Sequence, residues 1–386
     1  MSLLRCAHFA TVAVVFLHAG SATGANAEPE LLDGRIGAAV EREHAADRFD
    51  GVVLVGRNDS VAYKRAIGFA NRATHQMHRV EEPWRLASVS KQVAALLLML
   101  QVERGRLSLE TRLDQLLPDF HSPIAKEISV RQLLQHTSGL PNPDATLKAD
   151  APPDAMPPYY SRRFKDEAGP VDAALEFCAG PPAGQPGVRF SYNNCDTLIV
   201  QAVLERLTGH TYARILDEAV SGPLMLKSFS MATAAGPAPD MPVGYLEKNH
   251  DEPAFNLASF GASGALIGNA EDLWRFDEAL MDHRLLGAEA TRVMWTGDPQ
   301  LGYVALGAWS FPARLAGCAK PIALVERRGE IGGVQVRNLM APELHAALVV
   351  LSNTSRTDFG EIWQGKGLMH ELASAAFCAP MGTIAP

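Results

Sequence analysis

The run Val93-Ala-Ala-Leu-Leu-Leu-Met-Leu100 is apolar on every side when wound as a helix, so a chain that carries it must enclose that helix in a core. Ser88-Val-Ser-Lys91 opens it. Residues three apart on a helix are neighbours on one face, which sets a hydroxyl and an amine one turn apart at the mouth of a buried helix. A lysine held there loses hydration. Its charged form is disfavoured, and it moves toward the state that accepts a proton from a serine. The same spacing also has a plain reading, a serine N-cap ahead of an apolar helix, so the pair gains meaning only from what surrounds it.

A chain of 386 residues, 47% hydrophobic and 20% charged, has room for one large or two medium cores and the composition of a globular protein. A net charge of −8 without a basic cluster argues against a nucleic-acid partner. At the N-terminus Arg5, the apolar stretch Phe9 to Leu17 and Ala25-Asn-Ala27 read as the parts of a cleavable export signal, with cleavage after Ala27 and a mature chain from Glu28. The apolar stretch is shorter than the ~20 residues that span a bilayer, and Cys6 precedes it, so no stable membrane anchor is expected. A periplasmic or secreted location permits disulfides among Cys178, Cys195, Cys318 and Cys378. Cys178 with Cys195 and Cys318 with Cys378 is the preferred pairing, and free buried thiols remain open.

Patterning along the chain changes twice. After a helix expected over Leu31 to Arg48, Gly51 to Gly56 and Val61 to Ala70 flank an Asn-Asp-Ser turn as a hairpin. From Ser88 helical signals recur: Lys91 to Arg104, a capping box at Ser129-Val-Arg-Gln132, and Thr197 to Thr208 stopped by Gly209. Strand patterns return at Tyr303 to Phe311, Ile322 to Arg328, Gln335 to Met340 and His345 to Ser352, before a last helix over Phe359 to Phe377. This order predicts an α/β (α+β) fold, an antiparallel sheet flanked by helices with an inserted all-helical domain. The boundaries drawn are 1–27 for the signal, 28–87 plus 240–386 for the sheet domain and 88–239 for the helical domain, with the Ser88 helix at their junction, where ligand sites gather. Residues 141–170, rich in Pro, Ala and Asp, read as a long surface loop or lid.

Tyr192-Asn-Asn194 follows the turn-rich Gly180 to Gly187 and precedes the Thr197 helix, so it falls on a tight loop. A phenol near a serine and a lysine relays a proton to a leaving group, and an Asn amide orients the lysine and a substrate carbonyl. Taken alone, Tyr-x-Asn fits a buried tyrosine in an ordinary turn. His75-Gln-Met-His78 lacks the glutamate and the spacing of a zinc helix, and neither metal nor cofactor is expected.

Leu86-Ala-Ser88-Val-Ser-Lys91-Gln, Leu133-Leu-Gln-His136-Thr-Ser-Gly-Leu140-Pro, Phe190-Ser-Tyr192-Asn-Asn194, Phe260-Gly-Ala-Ser-Gly-Ala-Leu-Ile267 and Gly329-Glu-Ile-Gly-Gly333 stand in that order. Together they resemble the serine β-lactamase and penicillin-binding protein superfamily, in its class C β-lactamase, D-peptidase and family VIII esterase branch. The resemblance implies a β-lactamase/transpeptidase-like fold, Ser88 as acylated nucleophile, Lys91 as its base and Tyr192 as proton relay, with Asn194 in the same loop. His136 to Gly139 matches a marker read here as structural. The third motif departs from the pattern. Where relatives carry Lys-Thr-Gly or His-x-Gly, this chain has Arg327-Arg328-Gly329. Arginine does not act as a base, yet it grips a carboxylate through paired hydrogen bonds. Strand alternation lets one arginine face the cleft, and the match favours Arg327; a solvated strand edge is the plain alternative. Backbone N–H groups of Ser88 and Glu330 are the implied oxyanion donors, with the Glu330 side chain directed away.

The expectation is an exported serine hydrolase acting through an acyl-enzyme on a small ester, peptide or β-lactam, with esterase or D-peptidase ranked ahead of β-lactamase because Lys-Thr-Gly is missing. The alternative is a non-hydrolytic protein of the same fold that binds cell-wall peptides or a partner.

Overall fold

Strand β1 (Gly51–Arg57) turns back through Asn58 and Asp59, both left-handed with φ of 49° and 63°, into β2 (Ser60–Ile67). The computed structural model describes residues 32–152, 155–166, 169–233, 240–247 and 250–378. The expected export signal and its cleavage at Ala27 lie outside the described residues. The hairpin joins β3 (Trp309–Ala313), β4 (Ile322–Ile331), β5 (Val334–Ala341) and β6 (Ala346–Ser352) in one antiparallel sheet of order β2-β1-β6-β5-β4-β3. Strands from both ends of the chain thus pair at β1 and β6, Gly51 opposite Ser352 and Arg57 opposite Ala346.

Both faces of this sheet are covered, which explains why β1 is apolar from Gly51 to Gly56 and β6 from Ala346 to Leu351. Val53, Val55 and Leu348 point into one core with α1 (Ala38–Ala45) and α7 (Leu368–Phe377). Val52, Leu54 and Val349 point into the other, under α6 (Ala270–Met281). That second core continues without a break into α2 (Ser90–Glu103) and α5 (Asn194–Thr208). Twelve consecutive residues of α2, Ser90 to Gln101, are buried, as the apolar run requires. The Ser129 capping box forms ahead of the short helix α3 (Val130–Leu134) with both of its bonds, at 3.3 and 2.7 Å. Cys178 at the end of α4 (Gly169–Cys178) is bonded to Cys195 in the first turn of α5, and Cys318 to Cys378. Among the described residues no helix is long and apolar enough to cross a membrane.

Several elements depart from expectation for local reasons. Strand β3 starts at Trp309 rather than Tyr303, because Tyr303 is left-handed (φ 65°) and the backbone bends through 306–308, leaving Val304 in isolated bridges only. The last helix starts at Leu368 rather than Phe359, because Gly365 and Gly367 adopt φ of 67° and 92°, outside the helical range. Residues 141–170 are not simply a surface loop: short turns at Pro143–Thr146 and Pro158–Ser161 carry Tyr159 and Tyr160, 2% and 1% exposed, into the core.

Candidate active site

Ser88 does not sit on α2 itself. It occupies a single turn, Ala87–Val89, just ahead of the helix, entered through Ala87 at φ 47°. A left-handed alanine is a costly conformation that persists only where its surroundings hold it. Here Ser90 Oγ donates to Ala87 O at 2.6 Å, Leu266 N donates to Ser90 Oγ at 3.1 Å, and Leu86 N donates to Leu266 O at 2.8 Å. The turn leaves Ser88 half-buried while Val89, Ser90 and Lys91 are enclosed.

Lys91, 1% exposed, places Nζ 3.0 Å from Ser88 Oγ, 2.7 Å from Asn194 Oδ1 and 2.7 Å from the carbonyl of Ser263. Tyr192 donates from its hydroxyl to Ser88 Oγ at 2.6 Å. Its loop is pinned: Ser191 N donates to His136 O at 2.8 Å, Gly187 N to Thr137 O at 2.7 Å, and Asn193 Nδ2 to Leu140 O at 2.7 Å. The His136 ring packs against the Tyr192 ring, 4.8 Å between centroids, and holds Asp196 through Nδ1 at 2.9 Å.

Arg327, the arginine that the motif match favours, faces the same cleft, but not as a free carboxylate fork. It is 1% exposed, with Nε donating to Ser88 O at 2.7 Å and Nη2 to the Tyr192 hydroxyl at 2.9 Å. Arg328, on the opposite face, is taken up by Glu326 and Glu361. Gly329 lies against the Ala87–Val89 turn, where a Cβ would stand 2.6 Å from Leu86 O and 3.0 Å from Ser88 N. Strand β3 pairs with β4 only over Ile322 to Glu326, so the Arg327 to Ile331 edge is left open beside Ser88. Glu330 follows with an exposed side chain. Both Nδ2 contacts of Asn194 are internal, to Tyr160 Oη at 2.7 Å and Asp144 Oδ1 at 3.1 Å, so the expected contact with a substrate carbonyl has no amide hydrogen left to make it.

Burial draws Lys91 below the usual amine range, and the charge of Arg327 pushes the same way. Burial alone would raise the Tyr192 phenol, but the charges of Lys91 and Arg327 and the hydrogen bonds at its hydroxyl outweigh that, and it lies below the usual value. A hydroxyl flanked by a destabilised ammonium and a phenol that ionises readily is suited to nucleophilic attack with proton transfer on either side. A cleft of about 340 Å³ opens over Ser88, Tyr192, Trp309 and Arg327. Asp144, Tyr160 and the Ser263 carbonyl join the site without being among the residues the sequence points to. Ser263 lies inside the Phe260 to Ile267 match, whereas no periodicity marks Asp144 or Tyr160.

The Beta-lactamase family profile matches residues 36–365. The chain belongs to the Beta-lactamase family. Esterase EstB of Burkholderia gladioli is 29% identical over 213 residues, covering 53% of this chain and 52% of that protein. Penicillin-binding protein 4* of Bacillus subtilis is 24% identical over 249 residues, 60% of this chain and 52% of that one. The chain therefore spans about half the length of the curated relatives it matches. D-amino acid amidase from Ochrobactrum anthropi, solved with D-phenylalanine, superposes with a TM-score of 0.72 at 20% identity, covering 89% of this chain and 97% of that one. At that identity the likeness establishes the fold, which is the β-lactamase/transpeptidase-like one.

Proposed function

We propose that this Beta-lactamase family member is an exported serine hydrolase that forms an acyl-enzyme at Ser88 on a small ester or amide and releases it to water. The observation that carries this reading is Ser88 Oγ held at once 3.0 Å from Lys91 Nζ and 2.6 Å from the Tyr192 hydroxyl. A neutral Lys91 spends both N–H groups on Asn194 Oδ1 and Ser263 O, which leaves its lone pair for the Ser88 hydroxyl. As Oγ attacks the carbonyl carbon, its proton passes to Lys91, and the carbonyl electrons move to an oxygen held by the backbone N–H groups of Ser88 and Glu330. The intermediate expels an alcohol or amine, which takes the Tyr192 proton; Lys91 then reprotonates Tyr192. Water attacks the Ser88 ester, giving a proton to Lys91, which returns one to the departing Oγ.

With two edges of its guanidinium committed, Arg327 is a brace for the nucleophile turn rather than a receptor for a substrate carboxylate. This favours neutral esters and amides over β-lactams, in keeping with relatives named as an esterase, D-aminopeptidases and a D-amino acid amidase. The test is a panel of a short-chain nitrophenyl ester, D-amino acid amides, a D-Ala-D-Ala peptide and a chromogenic cephalosporin, run on wild type and Ser88→Ala. Ester hydrolysis is expected to be the strongest activity and to fall by ~10³-fold or more in Ser88→Ala. No turnover of any substrate, or turnover that survives in Ser88→Ala, contradicts the assignment. Turnover of the cephalosporin alone overturns the ranking of substrates.

A further inference from the structure

Lys91 accepts a proton from Ser88 only if Asn194 presents oxygen, not nitrogen, to Nζ. An Asn side chain rotated by half a turn occupies almost the same space with its oxygen and nitrogen exchanged, so shape alone does not choose between them; the surrounding hydrogen bonds do. On the far side of Asn194 stand Tyr160 and Asp144. Tyr160 donates its hydroxyl proton to Asp144 Oδ1 at 2.6 Å, so its oxygen is left to accept from Asn194 Nδ2 at 2.7 Å. Asp144 Oδ1 accepts from the same Nδ2 at 3.1 Å. A carboxylate has no hydrogen to give. Asp144 therefore fixes which way the Tyr160 hydroxyl points, Tyr160 and Asp144 fix which way the Asn194 amide points, and the amide directs the Lys91 lone pair at Ser88.

The parts of this relay are locked independently. Tyr160 is 1% exposed, and its ring stacks on Phe260 at 3.8 Å with 3° between planes, so its hydroxyl has one position. Asp144 is exposed and rides on the Pro143–Thr146 turn, which Asn142 ties to the catalytic loop: Asn142 Oδ1 accepts from Asn194 N and Nδ2 donates to Tyr192 O, both at 3.3 Å. Thr146 Oγ1 accepts from Tyr159 N at 3.3 Å, joining the two turns. The charge of Asp144 also reaches Lys91, supporting its protonated form.

We propose that Asp144 and Tyr160 are positioning residues for the base: they set the orientation of the Asn194 amide and through it the proton-accepting geometry of Lys91. This rests on the assignment of Ser88 and Lys91 made above. The experiment compares wild type, Asp144→Asn, Tyr160→Phe, Asn194→Ala and the Asp144→Asn/Asn194→Ala double variant in nitrophenyl ester hydrolysis, with Ser88→Ala as the floor. Asp144→Asn alters an exposed side chain and Tyr160→Phe keeps the Phe260 stack, so thermal melts should show both folded. Each is expected to lower kcat by about 10- to 100-fold, the scale of a misdirected reacting group, with KM nearly unchanged. In Asp144→Asn the acidic limb of the kcat profile should move to lower pH, because a carboxylate that favoured the ammonium is gone, and a purely structural loss would leave the limb in place. Added to Asn194→Ala, Asp144→Asn should cause no further loss. Additive losses, or an unmoved limb in Asp144→Asn, overturn the positioning role while leaving the nucleophile assignment standing. Activity surviving in Ser88→Ala overturns that assignment and this proposal with it.

Discussion

Gly329→Ala probes how closely β4 approaches the Ser88 turn. The backbone at Gly329 is ordinary strand, so the argument is one of space alone. The added Cβ would meet Leu86 O at 2.6 Å, Ser88 N at 3.0 Å and the Ala87 Cβ at 3.1 Å, where ordinary contact begins near 3.4 Å. Relief takes a separation of about 0.8 Å between two backbones. Neither yields easily: the turn is fastened by Leu86 N to Leu266 O and by Ser90 Oγ to Ala87 O, and β4 is paired to β5 along Val325 to Ile331. A shift approaching 1 Å between Ser88 and the open edge of β4 separates the proposed nucleophile from one of the two proposed oxyanion donors. Misplacement on that scale lowers the rate by ~10²-fold, close to 3 kcal/mol of transition-state stabilisation. Overpacking destabilises the fold by roughly 1–3 kcal/mol. The assay is kcat/KM for a short-chain nitrophenyl ester, with a thermal melt on the same preparation to show that the protein is folded at the assay temperature. A folded Gly329→Ala whose kcat/KM stays within about threefold of wild type would refute the reasoning.

Arg327→Met removes a charge that lowers both Lys91 and Tyr192, so both should rise and the acidic limb of the kcat/KM profile should move to higher pH; a limb that stays or moves down contradicts the bracing role. Asp277 is fully buried, with Asn338 Nδ2 on Oδ1 at 2.8 Å and Oδ2 without a partner among the described residues, and burial holds its carboxyl well above the ordinary 3.8. Such an acid takes up a proton on folding, so its contribution to stability is fully present below the unfolded value and is lost as pH rises toward the folded one. Asp277→Asn should therefore raise the melting temperature at pH 8, with a gain that shrinks as pH falls into the carboxylate range; a gain independent of pH would contradict it. The Cys178–Cys195 bond joins positions 17 apart in the sequence and closes a loop that contains Tyr192. Replacing both cysteines with serine should remove about 3 kcal/mol of stability in denaturant titrations, and an unchanged midpoint would contradict this.

What was legible in the sequence is what local periodicity encodes. Ser88 and Lys91 stand one turn apart because of helical spacing, and the apolar run behind them dictates burial without reference to the rest of the chain. The left-handed Ala87 that lifts Ser88 off the helix left no mark in the pattern, since alanine is an unremarkable residue in either place. Alternation along β4 admits one of the two arginines to the cleft and the motif match singles out Arg327, yet its partners are a main-chain carbonyl and a phenol from distant segments, and neither signal says anything of these. Asp144 and Tyr160 lie in a stretch without periodicity, where only the tertiary fold brings them to Asn194. Glycines at 365 and 367 decided where α7 begins against an apolar pattern that ran further back.

The central claim is that Ser88 is the atom acylated. Intact mass after treatment with a fluorophosphonate tests it most directly, comparing wild type, Ser88→Ala and Tyr192→Phe. A single adduct on wild type, none on Ser88→Ala and slowed labelling of Tyr192→Phe is the predicted result. Wild type that takes up no label, or Ser88→Ala that takes it up equally, would contradict it.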